Sequence, residues 1–339
     1  MKALVLENVG KLVYKDIPVP EPKEGEVLVR VKAAGICGSD IQRVYKDGAH
    51  VMPLVIGHEF AGCVKSVGPG VSKDLIGKRV GIFPLIPCEK CGPCKNKQYE
   101  MCRNYNYLGS RCNGGFAEYV AVPERNIIEL PESVSYEQAA MLEPMAVAVH
   151  SMRRIGEVSE YKDKRIAVCG LGTIGTILVK FLLDAGCKDI VVIGNKESQK
   201  RRMVELGIPE DKYFEETNIP EVDVFFECVG RNETVSLAVS SVAPAGSICF
   251  VGNPASDMML TKDVYWKILR NQIRITGTWN SSFTGADDDW HYVLDRLENG
   301  DLGTEQLITK KYSLEDITEG FEVMRDKSMD YIKIMAVME

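Results

Sequence analysis

A short apolar run, Arg165 to Cys169 (Arg-Ile-Ala-Val-Cys), passes straight into Gly170-Leu171-Gly172-Thr173-Ile174-Gly175. The run reads as a buried strand and the glycine spacing as a strand-to-helix turn. An apolar helix is expected from Ile174 to Leu183, closed by Gly186, and a second strand from Ile190 to Ile193. Such glycines alone also fit an ordinary βα turn. Strand, loop, helix and strand in this order, however, make the first βαβ unit of a doubly wound parallel sheet that binds a dinucleotide. In that reading Gly170 permits the tight turn, Gly172 lets the backbone approach a pyrophosphate, and Gly175 lets the helix pack closely on the strand. The helix start at Thr173 and Ile174 then offers its amides to the phosphates.

The second strand ends in Ile193-Gly194-Asn195-Lys196. A carboxylate is expected about twenty residues past the loop when the cofactor is NAD, because it accepts from the adenosine 2′-hydroxyl. None stands here, while Lys196, Lys200, Arg201 and Arg202 lie close by. This pattern favours NADP over NAD, with Gly194, Asn195 and Lys196 at the adenosine end. The alternative is that Gly194 is a turn and the cations are the solvated face of the next helix.

A chain of 339 residues has room for about two domains with real cores. Its net charge of −7 gives no broad attractive field for nucleic acid or anionic membrane, so an anionic ligand needs a local cluster of cations. From Met1 onward there is no basic start followed by an apolar run, and no stretch approaches the roughly eighteen apolar residues of a membrane span. A cytoplasmic protein is expected. In such a protein eleven cysteines more often bind metal or fill cores than form disulfides, and their spacing decides.

Residues 1–146 look β-rich, because Val27, Val29 and Val31 alternate with Leu28, Arg30 and Lys32 and turn residues recur at Pro18 to Gly25, Gly68 to Gly70 and Gly77. Near Glu143 the pattern turns helical, Pro144 suiting the first turn of a helix to Arg154. Residues 147–283 continue the αβ alternation, with buried strands at Val222 to Cys228 and Ser247 to Val251, each ending at a glycine. Residues 284–339 hold a helix from Asp289 to Leu297 and a strand-like end from Ile332 to Val337.

Cys88, Cys91, Cys94 and Cys102 fall in one turn-rich loop, the spacing of a closed tetrahedral structural zinc site. Nearby Cys112 is a further thiol that competes for that metal in one reading. A second constellation is scattered. Cys37 follows the strand Val27 to Ala33, His58 stands in Gly57-His58-Glu59, and Glu143 opens the later helix. Three such ligands leave one position open, as catalytic zinc requires. Singly each has an ordinary explanation: a core thiol, a hydrogen-bonded core imidazole, and an acid favoured by the helix dipole.

Gly57-His58-Glu59, the four-cysteine loop, Gly114 to Tyr119, Leu142-Glu143-Pro144 and the glycine loop, in that order, resemble the zinc-dependent medium-chain alcohol/polyol dehydrogenase family over essentially the whole chain. Gly48-Ala49-His50, Tyr107 to Arg111 and Thr278-Trp279-Asn280 look most like members acting on a sugar alcohol phosphate. The resemblance implies a GroES-like catalytic domain interrupted by a Rossmann domain, the active site in the cleft between them, and a homodimer or homotetramer. It implies Cys37, His58 and Glu143 as catalytic zinc ligands, hence two zinc ions per chain. Glu59 would hydrogen-bond the zinc-bound water or briefly replace it, and Ser39 would accept the alcohol's proton. The hydride would pass to the nicotinamide. The relay beyond Ser39 departs from many alcohol dehydrogenases, because Gln42 stands where they carry a histidine; His50 or water is left to complete it.

A sugar alcohol phosphate needs cations in its pocket. Arg43, Lys46 and Arg111 are the candidates, each with a surface role or an acidic partner such as Asp40 or Asp47 as the alternative. Trp279 and Asn280 follow the last strand of the dinucleotide domain and are candidates to line the polyol site, Trp279 being otherwise a buried core aromatic. The expected reaction is oxidation of a secondary alcohol of a hexitol phosphate. The competing readings are the same chemistry on an unphosphorylated polyol or threonine and, remotely, a non-enzymatic zinc and nucleotide-binding protein.

Overall fold

Val27, Val29 and Val31 share one face of the strand Glu26–Gly35, where all three are buried. β-branched side chains suit a pleated surface, and burying each contributes about 1.5–3 kcal/mol. That strand is the spine of one of two compact units in the computed structural model, which describes residues 1–215, 218–254, 256–285, 288–300 and 302–339. The first unit joins Met1–Glu143 to Ser282–Glu339, and the second is Pro144–Ser281.

In the first unit the main sheet runs Ile127–Glu129, Arg79–Ile82, Glu59–Val67, Glu26–Gly35, Lys333–Val337 and Ile308–Tyr312, with Tyr119–Pro123 also paired to the spine. The C-terminal strand Lys333–Val337 is antiparallel to the spine, Met335 opposite Gly35 and Val337 opposite Ala33. The neighbouring strand on the other side sets Glu59 opposite Gly35. Two distant parts of the chain therefore meet at the end of the spine, immediately before Cys37.

The second unit is a six-stranded parallel sheet in the order Tyr213–Phe214, Asp189–Ile193, Arg165–Cys169, Val222–Glu227, Val242–Phe250 and Arg274–Gly277. From the central strand Arg165–Cys169 the chain goes first to one side and then to the other. The switch point lies between Arg165–Cys169 and Val222–Glu227, the place where open parallel sheets bind ligands. The helix after the glycine loop spans Thr173–Asp184 and buries Ile177, Leu178, Phe181 and Leu182. The strand expected at Ser247 begins earlier, at Val242, and the helix expected from Pro144 begins at Leu142. No helix among the described residues is long and apolar enough to cross a membrane.

Candidate metal centre and dinucleotide cradle

The turn after the spine strand places Cys37 at the N-cap of the short helix Gly38–Gln42. Asp40, in that helix, is fully buried, and its carboxylate accepts the Cys37 amide at 3.0 Å and pairs with Arg43. His58 is also buried, its Nδ1 lying 3.4 Å from Asp40 Oδ1 without hydrogen-bond geometry and with no other partner. Burial opposes charge on His58, but Asp40 and Cys37 beside it outweigh that and raise its pKa well above the usual value in the metal-free protein. Burial likewise works against the Asp40 carboxylate, which His58 and Arg43 nevertheless hold below its usual value.

Donor atoms of Cys37, His58 and Glu59 lie within 4.8 Å of one another. Glu143 is not in that tight group, but it faces the same histidine. Tyr107 donates its hydroxyl to Glu143 at 3.1 Å and sets its ring edge-on to His58, centroids 5.8 Å apart. Burial, opposed by His58 and assisted by the Glu59 charge, pushes the Glu143 carboxyl up to about 7. Glu59 itself is ion-paired with Lys333, whose ammonium also donates to the Ile36 carbonyl at 3.1 Å, all of it buried. Asp40, named above only as an ion-pair partner, Tyr107 and the unexpected Lys333 complete the site.

The orphaned His58 Nδ1 beside a thiol and two carboxylates suits an open, mixed-donor zinc site. The loop cysteines Cys88, Cys91, Cys94 and Cys102 also have sulfurs within 4.8 Å of one another, all four as free thiols. Amides of Arg103 and Cys94 donate to Cys91 and hold its thiol down to about 6, which favours the thiolate a metal needs. Cys94 is pushed up to about 12 by burial and its sulfur neighbours, a crowding that a shared cation relieves. Both donor sets fit zinc. Cys112, half-buried against the core of the same unit, lies outside the four-sulfur group.

Among the remaining candidates, Ser39 is half-buried in the first turn after Cys37. Arg43 makes the Asp40 pairing left open as its alternative, and Arg111 lies over the Tyr105 ring at 4.5 Å. Lys46, Gln42 and His50 are exposed. Trp279, 56% exposed, is not a core aromatic. Asn280 adopts a positive φ of 59° and leaves its buried Oδ1 without a partner.

In the second unit Gly170 has a φ of +95°, and a Cβ there would stand 2.5 Å from Val229. A Cβ on Gly175 would meet the Gly170 carbonyl oxygen at 1.9 Å, so helix and loop touch backbone to backbone. At Gly172, the N-cap of the helix, nothing lies within 4 Å of that position, which is the open cradle a pyrophosphate requires. Thr173 and Ile174, half-buried, open the helix beside it. Gly194 has a packing reason to lack an acid: its Cβ would fall 2.6 Å from Tyr213 Oη and 2.7 Å from Gln199 Oε1. The Asn195 amide donates to Gln199 at 3.1 Å and Lys196 is exposed, whereas Lys200 is engaged by Glu210 at 2.7 Å.

Residues 23–132 match the family model described as an alcohol dehydrogenase GroES-like domain, and residues 136–335 match a glucose dehydrogenase C-terminus. Galactitol 1-phosphate 5-dehydrogenase of Escherichia coli K12 is 30% identical over 331 residues, covering 94% of this chain and 95% of the relative. Sorbitol dehydrogenase of Bacillus subtilis is 29% identical, covering 99% and 96%. The crystal structure of the E. coli galactitol-1-phosphate dehydrogenase superposes with a TM-score of 0.91 at 29% identity, covering both chains fully. A zinc-binding dehydrogenase from Sinorhizobium meliloti bound to NADP (TM-score 0.88, 25% identity, 99% of both chains) has the same fold. So does an alcohol dehydrogenase from E. coli CFT073 complexed with NADH (0.90, 25%, 100% of this chain and 99% of the other).

A GroES-like β-rich unit joined to a doubly wound parallel sheet defines a medium-chain dehydrogenase. The chain belongs to the zinc-dependent alcohol/polyol branch of that family, as an NAD(P)-dependent dehydrogenase acting on an alcohol.

Proposed function

We propose that this dehydrogenase oxidises a secondary alcohol of a sugar alcohol phosphate resembling galactitol 1-phosphate. In this reading Cys37, His58 and Glu143 hold a catalytic zinc and Cys88, Cys91, Cys94 and Cys102 a structural one, two ions per chain. The observation that carries it is the convergence of half-buried Cys37 with buried His58 and Glu59, with Glu143 and Tyr107 against the same histidine. Residues 1–146 and 284–339 form the catalytic domain and 147–283 the dinucleotide domain.

The zinc supplies Lewis acidity that makes an alcohol proton removable near neutral pH, and the dinucleotide supplies the hydride acceptor. The chain's own groups do the rest. Asp40 fixes the Cys37 turn through its amide and lies beside His58. Ser39 accepts the alcohol's proton from the first turn after Cys37. Lys333 pairs with Glu59 and fixes where its side chain lies beside the metal ligands. Gly170, Gly172, Thr173, Ile174 and Gly175 receive the pyrophosphate, and Gly194, Asn195 and Lys196 the adenosine end, where the missing acid and exposed Lys196 favour NADP. Arg43, Lys46 and Arg111 form the phosphate side of the pocket, and Trp279 with the unpartnered Asn280 lines the polyol.

In this reading the protein is a cytoplasmic homodimer or homotetramer, and exposed apolar side chains of the second unit support the association. Met259, Tyr265, Trp266, Leu269 and Ile275 are all exposed, and the strand Arg274–Gly277 that carries Ile275 ends the sheet order.

A second reading, an unphosphorylated polyol, is favoured by Arg43 and Arg111 already having partners in Asp40 and Tyr105. Lys46→Ala and Arg111→Ala separate the two. On a phosphate substrate, the apparent KM for galactitol 1-phosphate rises about tenfold or more, the worth of one charge-assisted hydrogen bond, with cofactor KM unchanged. Unchanged substrate KM in both variants removes the phosphate.

A further inference from the structure

Glu227 ends the strand Val222–Glu227 on the far side of the switch point and is 1% exposed. A carboxylate taken out of water needs its lone pairs met. Here backbone amides and a hydroxyl meet them. Oε1 accepts the amides of Val229 at 2.8 Å and Gly230 at 2.9 Å and the Thr234 hydroxyl at 2.8 Å, and Oε2 accepts Gly230 at 3.1 Å. The main chain of the same residue accepts the amides of Val251 at 2.8 Å and Gly252 at 2.9 Å. One residue thus ties together the loops that leave two adjacent strands and the first turn of the helix Asn232–Ser241.

Those loops are the neighbours of the glycine loop. A Cβ on Gly170 would meet Val229 at 2.5 Å and the Cys228 carbonyl carbon at 3.1 Å. One on Gly230 would meet the Asn253 oxygen at 2.0 Å, and one on Gly252 the Gly230 nitrogen at 2.2 Å. The 228–230 and 252–253 turns are stacked backbone on backbone, and the Val229 side chain packs the first of them directly against Gly170. The seat of Gly170 is therefore shaped by the turn at Cys228 and Val229.

We infer that Glu227 is a positioning residue for dinucleotide binding, its buried carboxylate clamping the 228–234 turn so that the glycine loop keeps its cradle. It acts through Val229, Gly230 and Thr234 rather than by touching the cofactor. The inference rests on the reading that the glycine loop of the second unit receives the dinucleotide. Glu227→Ala removes the acceptor, Glu227→Gln keeps one oxygen for the donors that converge on Oε1, and Thr234→Val removes a single hydroxyl.

The experiment titrates NADH and NADPH against zinc-loaded wild type and the three variants by nucleotide fluorescence, with amide exchange followed on the cofactor-free proteins. Glu227→Ala is expected to bind about tenfold more weakly or worse, with Glu227→Gln and Thr234→Val in between. The amides of Val229 and Gly230 are expected to exchange faster while Val224, in the same strand, keeps its protection. Should Glu227→Ala fail to fold, the milder pair still reads the effect. A merely structural role lowers the melting temperature and leaves the affinity of the folded protein unchanged. Wild-type affinity in Glu227→Gln and Thr234→Val, with unchanged exchange at Val229 and Gly230, overturns the clamp. A wild type that binds neither nucleotide overturns the reading of the glycine loop and the clamp with it.

Discussion

Lys333 is a fully buried ammonium whose partners are the Glu59 carboxylate and the Ile36 carbonyl. Breaking a buried pair leaves one charge uncompensated, so Lys333→Met is predicted to cost about 3–5 kcal/mol of unfolding free energy by denaturant titration. A loss under 1 kcal/mol would place Glu59 in contact with water or another cation. Glu143 makes a prediction about pH. Its folded pKa, about 7, lies above the ordinary 4.5, so its contribution to stability is full below about 4.5 and lost as pH rises through 7. In zinc-stripped protein the wild type should lose stability across that window relative to Glu143→Gln, as read by melting temperature against pH. A parallel pair of curves contradicts the burial of an ionisable Glu143. The candidate ligands Cys37, His58 and Glu143 were legible because each sits in a short recognisable stretch. Lys333 was not, because it reaches Glu59, 274 residues away in sequence, only through the pairing of both their strands with Glu26–Gly35. The burial of Asp40 beside His58 was not legible for another reason: a polar residue in a polar turn gives no local sign that it is buried.

At the scale of elements, the strand-loop-helix at Arg165–Asp184 formed as its periodicity required, since apolar period and glycine punctuation act locally. Gly194 was legible as a missing acid but not as a packing requirement, because Tyr213 and Gln199 approach it from elements further along the chain. The strand Val242–Phe250 starts early because Val242 pairs with Val222 across a register shift, which sequence periodicity does not encode. The four-cysteine loop is nearly independent of such long-range effects. Cys88→Ser is predicted to lower the zinc content from two ions per chain to about one by elemental analysis and to speed amide exchange across 88–102. An unchanged count of two would locate the second ion elsewhere.

For the whole molecule, the exposed apolar side chains on Lys262–Asn271 and on the terminal strand Arg274–Gly277 predict self-association through the second unit. Unpaired edges and contiguous apolar patches are seldom left to solvent. Trp266→Arg with Leu269→Glu should lower the mass measured by light scattering to that of a smaller species, and an unchanged mass would move the interface to another face. The proposed function depends most on the convergence around His58 being a zinc site that serves polyol phosphate oxidation. Initial rates on galactitol 1-phosphate and on sorbitol, with NADP and NAD side by side and before and after chelation, address it directly. Chelator-sensitive reduction of nucleotide on the phosphate, faster with NADP and slower on sorbitol, is the result predicted. Reduction that survives removal of all zinc, or no reduction of either nucleotide on either polyol, would contradict it.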